Sequence, residues 1–284
     1  VSNPAMVSGR PSPHWGILDG DGIMDMVVGA HYDGDGGSSA GAVYTLFLTT
    51  DGFVKSAQKI SSFYGNMPLS AGGDNFGRSA SGLGDVNGDG VMDVAVGAPY
   101  DDDGGSNTGS VYVIFLTTDG LVDSAQKISP LYGSLSSFYT LETLDFFGLG
   151  LGGLGDLDGD GVPDVAVSAY ADDDGDDDDA TGSLFILYLS AEGTVKMAQK
   201  ISNYYGNLPY DIMTNDYFGY GPSIGCADLD QDGITDVAIG AYGDDDGGST
   251  TGSVYILFLT TDGMVKSAQK ISNFYGNLPY TIGA

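Results

Sequence analysis

Four stretches of this chain place oxygen-bearing side chains at one fixed spacing around a glycine. In residues 155–164, Asp156, Asp158, Asp160 and Asp164 stand at positions 1, 3, 5 and 9 of a loop, with Gly161 at position 6. Residues 84–93 repeat the pattern with Asp85, Asn87, Asp89 and Asp93, and residues 227–236 repeat it with Asp228, Asp230, Asp232 and Asp236. A weaker copy over 16–25 keeps Asp19, Asp21 and Asp25 but has Ile17 at position 1. Alternate acids in a tight turn converge on one point, and Ca2+ takes six to eight oxygens at about 2.3–2.6 Å. The backbone carbonyl at position 7 (Val91, Val162, Ile234, Ile23) can add a ligand. An EF-hand loop begins the same way, but it closes with a Glu at position 12 between helices. Here the closing acid is at position 9, and strand-like sequence follows at once. Asp-Gly clusters are also ordinary solvated turns. Four copies at matching spacing weigh against that reading, because carboxylates converging at each would repel one another without a cation.

The loops must be held by something that repeats with them. The position-3 residues Asp19, Asn87, Asp158 and Asp230 are 68, 71 and 72 residues apart, the signature of a repeat architecture. Each unit carries the same pieces in order, seen plainly in the second. A run of small residues, 76–84, leads into the acidic loop. A short apolar strand follows over 93–98, then an acidic linker at 101–106. A run of β-branched and aromatic residues over 109–116 reads as a buried strand. Thr118-Asp119-Gly120 signals a hairpin, and 124–129 alternates as an outer strand. Four antiparallel strands per unit, repeated, predict an all-β fold: a β-propeller built of four-stranded antiparallel blades. The expected domain is single, 1–284, with blade repeats near 1–66, 67–137, 138–208 and 209–284. Small residues in the first strand suit the crowded axis. Lys55, Lys59, Lys127, Lys196, Lys200, Lys266 and Lys270 fall in the fourth strands, where they are expected to face solvent and discourage edge pairing.

At this point the sequence resembles the FG-GAP repeats of integrin α-subunit propellers and their bacterial secreted relatives. The signature is complete from Phe76-Gly77 to Val96-Gly97-Ala98-Pro99. It recurs as Phe147-Gly148 with Val167-Ser168-Ala169 and as Phe218-Gly219 with Ile239-Gly240-Ala241; the first unit keeps only Val28-Gly29-Ala30, with Ser8-Gly9-Arg10 in place of Phe-Gly. The resemblance implies a propeller with Ca2+ in the loop joining strands 1 and 2 of a blade. Carried over, the ligands are Asp85, Asn87, Asp89, the Val91 carbonyl and Asp93; then Asp156, Asp158, Asp160, the Val162 carbonyl and Asp164; then Asp228, Asp230, Asp232, the Ile234 carbonyl and Asp236. Asp19, Asp21, the Ile23 carbonyl and Asp25 form a fourth, weaker site. Integrin-type propellers have seven blades and this chain four units, so a closed four-bladed ring and an arc of something larger both stay open.

Composition narrows the partners. Nine basic residues against 39 acidic give a formal charge of −30, which disfavours nucleic acid and anionic membrane surfaces and suits a calcium-rich, extracellular setting. Hydrophobic residues make up 42% and come in ordered runs, so the chain is not a disordered acidic polymer. The lone Cys226 allows no intrachain disulfide and reads as a small buried residue in a turn. No 18-residue apolar run occurs, so no transmembrane helix is expected; no signal peptide is visible, as expected of a processed secreted protein or of a piece of a longer one; and no Asn-x-Ser/Thr sequon occurs. Histidine is confined to His14 and His31 and arginine to Arg10 and Arg78, with no nucleophile elbow or phosphate loop. A non-catalytic, Ca2+-binding extracellular adhesion or structural protein is therefore the expected function, with a lectin-like module or a Ca2+-dependent polysaccharide lyase or hydrolase as alternatives.

Two further features receive structural readings. The second acidic series (Asp33, Asp35; Asp101–Asp103; Asp172–Asp174, extending to Asp179; Asp244–Asp246) lacks alternating ligand spacing and is expected to be solvated loop. The connector tyrosines Tyr64, Tyr132, Tyr204, Tyr205 and Tyr275 are expected to pack between blades rather than stack on sugars. The chain stops at a between-blade connector and begins at the equivalent phase. Head-to-tail self-association into a fibre or array is thus an expectation beside binding of an extracellular protein or glycan.

Overall fold

The computed structural model describes residues 16–68, 73–174, 180–246 and 248–282. It is all-β, with one short 3-10 turn at Leu135–Ser137. The first sheet has strands β1 (Met26–Ala30), β2 (Ala42–Leu48) and β3 (Val54–Ile60). The second holds β4 (Ser79–Gly84), β5 (Asp93–Ala98), β6 (Ser110–Leu116) and β7 (Val122–Ile128). The third holds β8 (Leu151–Gly155), β9 (Asp164–Ala169), β10 (Ser183–Leu189) and β11 (Val195–Ile201). The fourth holds β12 (Gly225–Ala227), β13 (Asp236–Ala241), β14 (Ser253–Leu259) and β15 (Val265–Ile271). Every sheet is an antiparallel meander in chain order, which is how a propeller blade is built. The first unit shows three strands where four are expected, and residues 8–15, where its first strand would fall, lie outside the described residues together with Arg10 and His14.

Alternation along the third strand of each unit stacks the sheets. On β6, Tyr112, Ile114 and Leu116 enter a core shared with the first sheet, while Val111, Val113 and Phe115 enter a core shared with the third. On β10, Phe185, Leu187 and Leu189 look back to the second sheet, and Leu184, Ile186 and Tyr188 look forward to the fourth. Every residue of β5, β6, β9 and β10 is buried, as expected of strands covered on both faces. Among the described residues, the terminal sheets are covered on one face only. Met26 and Val28 of β1 and Val254 of β14 are exposed, and Tyr44, Leu46, Ile256 and Phe258 are half-buried. Among the described residues, each of the three core clusters joins consecutive sheets, and none joins the fourth sheet to the first.

The Phe-Gly pair is the joint between sheets. Phe76, Phe147 and Phe218 are buried and meet the third strand of their own sheet edge-on, with ring centroids 5.4 Å from Tyr112, 5.6 Å from Phe185 and 5.3 Å from Tyr255. Their backbones lie against the glycine that opens the third strand of the preceding sheet. Gly109 has φ +90°, and a Cβ there would sit 2.2 Å from the Phe147 carbonyl oxygen, so only glycine fits. The N–H of Gly148 donates to the Ser168 carbonyl at 3.0 Å, and that of Gly77 to the Gly97 carbonyl at 3.0 Å, tying FG to GAP.

Two features differ from expectation. In the fourth unit the inner strand shrinks to Gly225–Ala227, because Gly221-Pro222 stands where β4 and β8 begin and proline brings no N–H to the ladder. Cys226 lies in that short strand rather than in a turn, and burial pushes its thiol up to about 12.

Candidate metal centre

In the second, third and fourth sheets the acidic loop joins the first two strands, and in the first sheet it leads into β1; the shape of each loop follows from Asx turns closed by left-handed residues. In the third unit the Asp156 carboxylate accepts from the N–H groups of Gly159 and Gly161, both at 2.8 Å. Asp158 accepts from the N–H of Asp160 at 3.2 Å, and Asp160 accepts from that of Val162 at 2.9 Å. Gly159 and Gly161 have φ of +81° and +94°. The other loops follow the same scheme through Asp85 and Asp89, and through Asp228 and Asp232. In the fourth, Gln231 takes the left-handed position with φ +63°. The first loop has only the Asp19 and Asp21 turns, because Ile17 contributes no carboxylate and its side chain is exposed.

The acid at position 9 does something the sequence did not reveal. One oxygen of Asp164 accepts from the N–H of Leu157 inside the loop at 2.9 Å, and the other accepts from the N–H of Leu189 at the end of β10 at 3.1 Å. Asp93 clamps Val86 to Leu116, Asp236 clamps Leu229 to Leu259, and Asp25 clamps Leu18 to Leu48 in the same manner. This carboxylate staples the loop to the third strand of its own sheet. Burial raises the pKa of Asp93 and of Asp164 to about 7 and pushes Asp236 upward, so each gains from a positive charge placed beside it.

Carboxylate oxygens of Asp156, Asp158 and Asp164 lie within 4.8 Å of one another, as do those of Asp228, Asp230 and Asp236. That span fits hard oxygen ligands around one Ca2+, whose ligand distances are about 2.3–2.6 Å. In the second loop Asn87 supplies an amide, whose nitrogen donates to Asp89 at 3.0 Å. Asp160 and Asp232 are turned instead toward lysines of the outer strand. Lys196 pairs with Asp158 at 3.0 Å and with Asp160; Lys266 pairs with Asp230 at 2.9 Å and with Asp232; Lys55 pairs with Asp19 at 2.7 Å and with Asp21. These hydrogen bonds hold Asp21, Asp160 and Asp232 below the usual carboxylate range.

The second acidic series is not the solvated loop its spacing suggested. Asp101, Asp172 and Asp244 are buried, and each shares a lysine with the acid two positions on. Lys127 lies 2.6 Å from both Asp101 and Asp103, and Lys200 lies 2.7 Å from Asp172 and 2.5 Å from Asp174. Lys270 lies 2.5 Å from Asp244 and 2.6 Å from Asp246, and Lys59 bridges Asp33 and Asp35. Lys200 and Lys270 are therefore buried, not solvent-facing edge residues. The physical reason is that each lysine stem crosses its strand and carries the ammonium to a buried acid, which pairing makes tolerable. Residues 175–179 of the third acidic linker lie outside the described residues. The connector tyrosines cover these clamps: Tyr64, Tyr132, Tyr205 and Tyr275 each lie with ring centroids 5.5–5.8 Å from the lysine of their own unit. Their rings thus pack within a blade rather than between blades. His31 packs against Tyr32, with ring centroids 4.0 Å apart and ring planes tilted by 46°.

Comparison with known proteins fits this architecture. The family model for the FG-GAP repeat matches residues 76–114 and 220–257. The chain is 35% identical over 153 residues to integrin alpha-PS5 of Drosophila melanogaster, which is 54% of this chain and 14% of that protein. It is 36% identical over 156 residues to integrin alpha-2 of Mus musculus, covering 54% of this chain and 12% of the relative. Against integrin alpha-6 of Homo sapiens it is 35% identical over 162 residues, 56% of this chain and 12% of the relative. The chain thus spans about one seventh or less of the length of these relatives.

Proposed function

We propose that this chain, an integrin-like FG-GAP repeat protein whose sheets are propeller blades, is a non-catalytic extracellular adhesion or structural module held together by Ca2+. On this reading it forms one domain over 1–284 with blade repeats near 1–66, 67–137, 138–208 and 209–284. The observation that carries the reading is the convergence of Asp156, Asp158 and Asp164, and of Asp228, Asp230 and Asp236, on two points in loops that join successive strands of a blade. The second loop would use Asp85, Asn87, Asp89, the Val91 carbonyl and Asp93, and the first would use Asp19, Asp21, the Ile23 carbonyl and Asp25. Bound Ca2+ supplies positive charge and fixed loop geometry. The chain's own part is to place the acids, bury the closing one and tie it to the third strand.

A ligand that binds the folded state alone stabilises it by mass action, about 2.7 kcal/mol per site at a hundredfold excess over Kd. Thermal unfolding in EDTA and in millimolar Ca2+ is therefore expected to differ by many degrees. Asp160→Ala should lose part of the Ca2+-dependent gain and show a smaller loss in EDTA, where it gives up its pairing with Lys196. An unchanged midpoint in the wild type would remove the metal assignment.

The partner is read as a protein, beginning with other copies of the same chain. The free face of the fourth sheet presents Val254, Ile256 and Phe258, the same strand positions with which Val111, Val113 and Phe115 pack onto the next sheet. Among the described residues, the uncovered face of the first sheet presents the half-buried Tyr44 and Leu46, the counterparts of the receiving residues Tyr112 and Ile114. Such complementary, non-identical ends suit heterologous contact. In Ca2+, sedimentation is expected to show association that rises with concentration and that Phe258→Asp abolishes. A concentration-independent monomer would count against it. No helix among the described residues is long and apolar enough to cross a membrane.

A further inference from the structure

The loops are alike in their backbones and unlike in what stands above them. The outer strand of the first sheet reads Val54-Lys55, that of the third Val195-Lys196, and that of the fourth Val265-Lys266; the second reads Val122-Asp123. The four positions are structurally equivalent, since Leu48, Leu116, Leu189 and Leu259 pair with Val54, Val122, Val195 and Val265 immediately after the same bulge. In three sheets the lysine ammonium is seated between the acids at loop positions 3 and 5. In the second sheet an exposed carboxylate takes its place, and the position-5 acid Asp89 accepts from the neutral Asn87 amide instead.

Building on the reading of these loops as Ca2+ sites, we propose that the outer-strand lysine is an internal counter-cation that competes with Ca2+, so that the residue at this position tunes each loop's affinity beside the loop's own count of acids. Lys55, Lys196 and Lys266 offset part of their loops' negative charge when no ion is bound, and must be displaced from the acids at positions 3 and 5 before a second cation can share those oxygens. The loop beneath Asp123 carries no such guard and has an additional negative charge nearby. It fills first. The third and fourth loops, with four acids and one lysine each, follow together. The first loop, with a lysine and without an acid at position 1, fills last. The chain thereby spreads its Ca2+ response over a range of concentrations instead of responding at one threshold. A full ladder of identical loops could not do this.

The size follows from Coulomb's law: one unit charge removed about 5 Å from a divalent ion, in a solvent-dominated dielectric, changes affinity about tenfold. Calorimetric titration of the full chain with Ca2+ alone is the test. The wild type should show one tight site and a weaker group. Lys196→Gln and Lys266→Gln should each move one weak site about tenfold tighter, and Asp123→Lys should move the tight site into the weak group. Thermal unfolding supplies a readout that a structural role would not move. Lys266→Gln should be less stable than wild type in EDTA and at least as stable in saturating Ca2+. Binding constants that do not change in the lysine variants and in Asp123→Lys would overturn the proposal while leaving the Ca2+ sites standing. A wild type that takes up no Ca2+ would instead remove the reading of the loops on which it rests.

Discussion

Asp164→Ala is expected to cost roughly 2–6 kcal/mol of folding stability with or without Ca2+. Its two oxygens serve the N–H groups of Leu157 and Leu189, and the side chain is fully buried. Removing them leaves two buried donors without acceptors, at about 1–3 kcal/mol each. The loop is then released from β10, so the acids at positions 1, 3 and 5 no longer share a frame. Urea unfolding in EDTA and in Ca2+ separates this from a ligand-only role. A variant that matches wild type in EDTA and falls behind only in Ca2+ would show that the clamp contributes nothing. Asp160→Ala is the counterpart, since Asp160 is exposed and makes no such tie.

Phe147→Ala is expected to be as damaging, at about 3–5 kcal/mol for a fully enclosed aromatic ring. Phe147 is buried in the core between the second and third sheets, edge-on to Phe185, and its backbone occupies the space that Gly109 leaves open. The cavity would open at the joint between blades, where rigid strands on both sides limit collapse. The control is Phe274→Ala, a ring 74% exposed, which should be nearly neutral. Equal losses in the two variants, measured by the same denaturant titration, would refute the assignment of FG as the joint.

The repeat, the strand order and the acidic loops were legible because each is written locally. The alternation in 109–116 and the Asp-Gly spacing in 155–164 need no knowledge of distant residues. The clamp of Asp164 on Leu189 was not legible, since its partner is 25 positions away and nothing in the spacing of the acids separates a ligand from a staple. Lys200 was misplaced for a related reason. Its strand position is that of an exposed edge, but its ammonium reaches Asp172, 28 residues back, which burial would otherwise leave uncompensated. The tyrosines beside these lysines were read as inter-blade packing because a ring's partner depends on where a cation ends up. The difference between Asp123 and the lysines at the equivalent positions was visible in the sequence, but it had no meaning until the register put all four over the loops.

The one-sided burial of the first and fourth sheets has a consequence for how the molecule holds together. Among the described residues the four units share three interfaces, and each interface is a contiguous core between neighbours. Stability is then nearer to a sum of nearest-neighbour couplings than to a property of the whole, as in other quasi-one-dimensional repeat arrays. Within the described residues the inner pair is coupled twice and each outer unit once, so wherever the outer faces have no further partner, opening starts there and runs inward like a zipper. The couplings, rather than the blades, are the units on which evolution can act. A blade can be inserted or removed at any joint where one face of alternating residues is kept, without redesigning the rest.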